Sequence, residues 1–139
     1  MDEFGKESLK GGFFGGIALE RLRKMPLPSD PEIGPSTMNI GIIGVNNRGR
    51  DNTEGVRSEN IAALCDIDAR YLGEASTRFP KAKTYVDWRK CLDQKDLDAV
   101  VCCTADHTHA FVANWALNRD LHVYCEKPLA ICVEEARVV

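Results

Sequence analysis

Apolar positions along the chain fall into short runs separated by stretches with helical spacing. Asn39-Ile-Gly-Ile-Ile-Gly44, Ile61-Ala-Ala-Leu-Cys65 and Leu97-Asp-Ala-Val-Val-Cys-Cys103 are apolar at nearly every position. A strand covered on both faces needs that pattern. Leu121-His-Val-Tyr-Cys125 reads as a further strand, and Thr84-Tyr-Val86 as a short strand or extended link. Helices are predicted over Gly49–Ser58, Ala69–Phe79 (stopped by Pro80), Trp88–Leu92 and Thr108–Asn118, with another starting at Val133. Apolar strands alternating with helices predict an α/β fold, a doubly wound parallel sheet covered on both faces, from about residue 38 to 139. No internal repeat is visible.

Residues 1–37 have a different character. Gly11, Gly12, Gly15 and Gly16 are followed by Pro26, Pro28, Pro31 and Pro35. Phe13–Leu22 is compatible with a short helix, and Pro26–Pro35 reads as an extended linker. Asp2, Glu3 and Glu7 spoil a positively charged start, and glycines interrupt the small apolar patch. The stretch is therefore read as a flexible leader rather than a cleaved export signal, with a degenerate signal as the alternative.

Composition adds limits. The chain has 139 residues, 44% hydrophobic and 28% charged, with a net charge of -3. That suits one globular domain. No basic block or stripe suggests a nucleic-acid partner, and no apolar run has the length to cross a bilayer. Six cysteines are present without a CxxC pair. Cys65, Cys102, Cys103 and Cys125 fall in or at the ends of strand-like runs, and Cys91 and Cys132 in predicted helices. Buried, reduced thiols in a cytoplasmic protein are expected, and no metal site.

In open parallel sheets ligands bind at the carboxyl ends of the strands, and the polar groups of interest fall there. Gly44-Val-Asn-Asn-Arg-Gly49 nearly matches G-x-G-x-x-G, the Rossmann dinucleotide turn. Gly44 and Gly49 fill the first and third glycine roles. Asn46 replaces the middle glycine and is expected to tolerate left-handed backbone. Asn47 and Arg48 complete the turn that opens a helix N-terminus toward phosphate. Asp66 ends the second strand, 22 residues after Gly44, near the spacing of a ribose-binding acid. Such a carboxylate favours NAD and repels the 2′-phosphate of NADP. Arg48, Arg50 and Arg70 keep NADP open as an alternative. Asp68 reads as a solvated turn acid. His107 and His109 are too isolated to read as metal ligands, so Thr104-Ala-Asp-His-Thr-His109 is taken as a loop lining a cofactor. His122 is expected to be a packed strand histidine. Glu126-Lys127-Pro128 ends a strand. Lys127 there suits a proton donor or a hydroxyl anchor, or else a solvated lysine paired with Glu126.

Three ordered segments resemble one family: Ile40-Gly-Ile-Ile-Gly-Val-Asn-Asn-Arg-Gly49, Thr104-Ala-Asp-His-Thr-His-Ala110 and His122-Val-Tyr-Cys-Glu-Lys-Pro-Leu-Ala130. Together they are similar to the N-terminal domain of the Gfo/Idh/MocA oxidoreductases, the family of glucose-fructose oxidoreductase and inositol dehydrogenase. The resemblance implies that Asp66 contacts the adenosine ribose. It implies that Thr104, Asp106 and His109 border the nicotinamide, that Glu126 belongs to the cofactor site, and that Lys127 is catalytic. Three departures stand out: Asn46 for the middle glycine, Ala105 for a proline, and Asp120-Leu121 for a common Gly-Lys. The resemblance also implies a large C-terminal substrate domain that usually mediates oligomerisation. On that ground the chain is expected to be a fragment, inactive alone, of a dehydrogenase moving hydride between a nicotinamide cofactor and a sugar, polyol or related alcohol. An NAD-dependent glycosidase and a non-catalytic NAD-binding module are the alternatives.

Overall fold

The computed structural model describes residues 37–139. The expectations for the leader, a helix at Phe13–Leu22 and a linker at Pro26–Pro35, lie outside the described residues. From Thr37 the strands are β1 (Asn39–Ile43), β2 (Asn60–Cys65), β3 (Lys83–Tyr85), β4 (Ala99–Cys102) and β5 (His122–Cys125). The helices are α1 (Arg48–Gly55), α2 (Ala69–Arg78), α3 (Trp88–Leu92), α4 (His109–Leu117) and α5 (Val133–Val138), with a 3-10 turn at Asp106–Thr108. The sheet order is β3-β2-β1-β4-β5, and every neighbouring pair is parallel. The order reverses between β1 and β4, which opens a crevice at their carboxyl ends.

Period-2 alternation sorts the strand residues into two cores. Ile40, Ile42, Ile61, Leu64 and Val101 pack with Leu72 and Ala75 of α2 on one face. Ile43, Ala63, Cys65, Val100 and Cys102 pack with Leu92 of α3 and Val112 and Ala116 of α4 on the other. The β1–β2 register slips once: Ile40 pairs with Ile61 and Gly41 with Ala63, so Ala62 is an extra residue. That bulge brings both Ala62 and Ala63 into the second core.

β5 departs from the expected pattern. It is the sheet edge, and its residues alternate between exposed and half-buried. Val123 and Cys125 pack inward, while Tyr124 is 55% exposed. His122, expected to be packed, is exposed because it lies on the face of this edge strand that no helix covers. The cysteine reading also needs correction. All six thiols are free, but only Cys65, Cys91 and Cys102 are buried; Cys103 and Cys125 are half-buried, and Cys132 is exposed just before α5 rather than within a helix.

The end of α4 explains one of the family departures. Leu121 N donates to Ala116 O at 3.2 Å and Asp120 N to Leu117 O at 3.1 Å. This is the paired closure of a Schellman motif, which places the residue after the cap in left-handed backbone. Asp120 occupies that position with φ 60°. Glycine does so without a Cβ penalty. Asp120→Gly should therefore stabilise the chain by up to about 1 kcal/mol, and Asp120→Val should destabilise it by at least as much. Urea unfolding measures both, and a glycine variant weaker than the unmodified chain would show that the aspartate side chain outweighs the backbone strain.

Candidate nucleotide site

The turn from β1 into α1 is built from close backbone contacts. Gly44 has φ 85°, and its N–H donates to Cys65 O at 2.8 Å. A Cβ on Gly44 would lie 2.5 Å from the Cys103 carbonyl oxygen, and one on Gly49 would run into the Gly44 carbonyl. Both glycines therefore hold the roles their spacing predicts. The left-handed position, however, is Asn47 (φ 46°, ψ -116°) and not Asn46. The chain reverses one residue later than the motif suggests, directly before the helix. The amides of Asn46 and Asn47 make no backbone hydrogen bond among the described residues. They precede the N-terminus of α1, where backbone donors and the helix dipole favour an anion.

Asp66 is fixed from two sides. Its Oδ2 accepts from Val45 N at 3.0 Å and its Oδ1 from Asp68 N at 2.9 Å. The carboxylate thus joins the glycine turn to the start of α2, and each oxygen retains a lone pair for a ribose hydroxyl. Asp68 is the N-cap of α2, accepting from Arg70 N at 2.9 Å. The Arg70 guanidinium and backbone hold its carboxyl down at about 2. Arg70 is accordingly engaged by Asp68, and Arg48 by Glu126. Arg50 lines a cleft with Val45, Asn46 and Tyr71.

Glu126 closes the other side. Its Oε1 accepts from Asn52 Nδ2 at 2.7 Å and from Arg48 Nε at 3.0 Å. The side chain is 13% exposed. The Asn52 amide first, then Arg48, hold it below the usual glutamate range. Glu126 is therefore a bracket between α1 and the end of β5. Asn52 escaped the sequence reading, although it lies four residues after Arg48 and so on the same helix face. Lys127 is exposed and has no carboxylate within ion-pair distance among the described residues. Glu126 is paired with Arg48 and Asn52 rather than with Lys127. The Lys127–Pro128 bond is cis.

The Thr104–His109 segment divides in two. Asp106 and His107 are exposed on the 3-10 turn. Thr104 accepts from Thr108 Oγ1 at 2.5 Å, and its hydroxyl lies 3.5 Å from Cys102 Sγ. His109 is 1% exposed, with Nδ1 2.6 Å from Pro128 O and Nε2 2.9 Å from Thr104 O. Its ring ties the loop after β4 to the loop after β5. The carboxyl edge thus gathers the Gly44–Gly49 turn, Asp66, the Thr104–Asp106 turn, Glu126 and Lys127, while His109 lies behind them in the core.

Residues 38–139 match the family model of an oxidoreductase family with an NAD-binding Rossmann fold. The chain belongs to this family. Among curated relatives, it is 32% identical over 108 residues to an inositol 2-dehydrogenase of Salmonella typhimurium, covering 74% of this chain and 32% of that protein. It is 35% identical over 102 residues to inositol 2-dehydrogenase 2 of Saccharopolyspora erythraea, covering 70% and 30%. A crystal structure of Lactobacillus casei myo-inositol dehydrogenase with NAD(H) and myo-inositol superposes with a TM-score of 0.68. The two are 30% identical, over 73% of this chain and 32% of the other. The chain therefore spans about a third of the length of the relatives it matches. Within this NAD-binding Rossmann family, the cradle left by Gly44 and Gly49 and the anchored Asp66 fit a dinucleotide.

The depressed Glu126 carboxyl gives a pH expectation. A group whose folded pKa is lowered contributes stability above its unfolded value, near 4.3, and loses that contribution as pH falls through the folded value. Glu126→Gln should therefore make the loss of thermal stability below about pH 4.3 shallower than in the unmodified chain. Parallel acid-side slopes would mean that the bracket holds without its charge.

Proposed function

We propose that this chain is the NAD-holding domain of a dehydrogenase that oxidises a polyol, with a cyclic inositol-like alcohol as the favoured substrate class. The observation that carries the reading is the convergence of an anion-favouring turn, a fixed carboxylate and an unpaired lysine on one sheet edge. The relatives named above, inositol 2-dehydrogenases, supply the substrate class. When bound, NAD supplies the hydride acceptor.

The chain's own residues supply the rest. The amides of Asn46 and Asn47 bind the diphosphate at the start of α1. Asp66 takes the adenosine ribose on the oxygen lone pairs left by Val45 and Asp68. NAD is preferred over NADP, because a 2′-phosphate would meet the Asp66 carboxylate, even with Arg50 in the neighbouring cleft. Lys127 is the catalytic residue: its Nζ removes or anchors the hydroxyl proton of the alcohol. Glu126 positions it, since the bracket to Asn52 and Arg48 fixes the residue before Lys127. Six free cysteines support a cytoplasmic location, where thiols stay reduced.

Calorimetry should show NAD binding to the chain, tighter than NADP, with Asp66→Ala narrowing the gap. A strict NADP preference would overturn the role given to Asp66. The chain alone should bind without turning over inositol, because positioning of substrate is worth roughly 7 to 11 kcal/mol of a barrier. In a protein that also carries a relative's complete substrate domain, Lys127→Ala should lower kcat about a hundredfold or more. An unchanged kcat there would remove Lys127 from the chemistry.

A further inference from the structure

Lys127 stands between two held residues. Before it, Glu126 N donates to Cys102 O at 3.0 Å, and Asn52 and Arg48 hold the Glu126 carboxylate. After it, Pro128 O lies 2.6 Å from His109 Nδ1. Among the described residues, that contact is the one hydrogen bond made by residues 128–130. Pro128 is exposed, and Leu129 and Ala130 are half-buried, so packing holds the segment only in part. The next contact, Ile131 N to Glu135 Oε2 at 3.3 Å, is exposed and local to α5. It ties nothing back to the sheet.

His109 is a fixed point from which to hold that segment. The residue is 1% exposed and opens α4, whose Val112 and Ala116 lie in the core. A carbonyl oxygen only accepts, so a contact of 2.6 Å places a hydrogen on Nδ1. The tether needs that hydrogen alone; the charge of the ring and the state of Nε2 do not enter. Proline passes the tether back along the chain. Its ring fixes φ at about -65°, so one dihedral fewer is free between the held carbonyl and Lys127.

We infer that His109 is a positioning residue for Lys127, holding the Pro128 carbonyl so that the lysine keeps one place at the end of β5. His109 lies in the core and acts on the chemistry only through the segment it holds. Catalytic groups need such support, because a misplacement of about 1 Å by a remote substitution costs about a hundredfold in rate. Two brackets share the task. Glu126 fixes the residue before Lys127, and His109 fixes the residue after it from a helix that follows a different strand. The consequence for turnover rests on the role proposed for Lys127 in the chemistry; the tether does not.

Nitrogen-15 relaxation of the 139-residue chain reads backbone order at Lys127, Leu129 and Ala130. In the unmodified chain their order parameters should match the rigid value of the strands, about 0.85. His109→Phe keeps a ring and removes both nitrogens. It should drop the three values below about 0.6 while the strands stay rigid. Unaltered order at Lys127 in the folded variant would overturn the proposal. If the variant does not fold, the unmodified chain still decides: long-range proton–nitrogen spectra should show a hydrogen on Nδ1 coupled to the Pro128 carbonyl, and a bare Nδ1 would sink the tether. Turnover is read in the protein that also carries a relative's complete substrate domain. There His109→Phe should lower kcat at least about tenfold and leave the KM for NAD within about twofold. In a Lys127→Ala background the same substitution should lower kcat no further, since the group it supports is already gone. An equal loss in both backgrounds would mark a general structural effect and overturn the positioning role. If Lys127→Ala alone leaves kcat unchanged, the catalytic reading of Lys127 fails, and the relaxation data judge the tether separately.

Discussion

The carboxyl edge of this sheet depends on backbone meeting backbone with no side chain between. Gly44 turns out of β1 against the Cys103 carbonyl at the end of β4, and Gly49 begins α1 against the carbonyl of Gly44. A single methyl group at either glycine would push α1 off the sheet. With α1 seated, Arg48 and Asn52 come within reach of Glu126 at the end of β5. Thr53 Oγ1 donates back to Gly49 O at 2.5 Å, closing the first turn of the helix from within. The crevice between β1 and β4 follows from strand order, but its width follows from these two glycines.

Once that contact is made, three polar side chains fix the loops around it. Asp66 holds the glycine turn through Val45 N, Glu126 holds α1, and His109 holds the segment after β5 through Pro128 O. Each bracket joins the segment after one strand to a loop or helix that follows a different strand. A substitution at any of the three therefore loosens two elements at once. Asp66 keeps acceptor capacity beyond its two contacts, because a carboxylate oxygen accepts more than one hydrogen bond. His109 does not, because both its ring nitrogens are already engaged inside the core.

Strand identity, strand order and the two glycines were legible because they are local: apolar runs, a helical period and a spacing. What escaped was set by tertiary contact. The left-handed residue moved from Asn46 to Asn47 because helix entry, not the motif, decides where the chain reverses. His122 is exposed because β5 is an edge, and edge position does not show in an apolar run of four. His109 turned inward because the carbonyls of Pro128 and Thr104 converge on it, a meeting 19 residues apart in sequence. Asn52 was invisible as a partner of Glu126 for the same reason, across 74 residues. The departure at Asp120 was visible in the sequence, but its meaning needed the Schellman closure that sets its φ.

Charge pairing at the carboxyl edge separates Glu126 from its sequence neighbour Lys127. Arg48, Arg70, Arg89 and Arg119 each have a carboxylate partner. Lys127 has none among the described residues, although its neighbour Glu126 is an acid. Here Asn52 and Arg48 take Glu126 from the α1 side, and Lys127 stays exposed at the end of β5. The bracket at Glu126 thus does two things with one contact: it seats α1 and it keeps the lysine free.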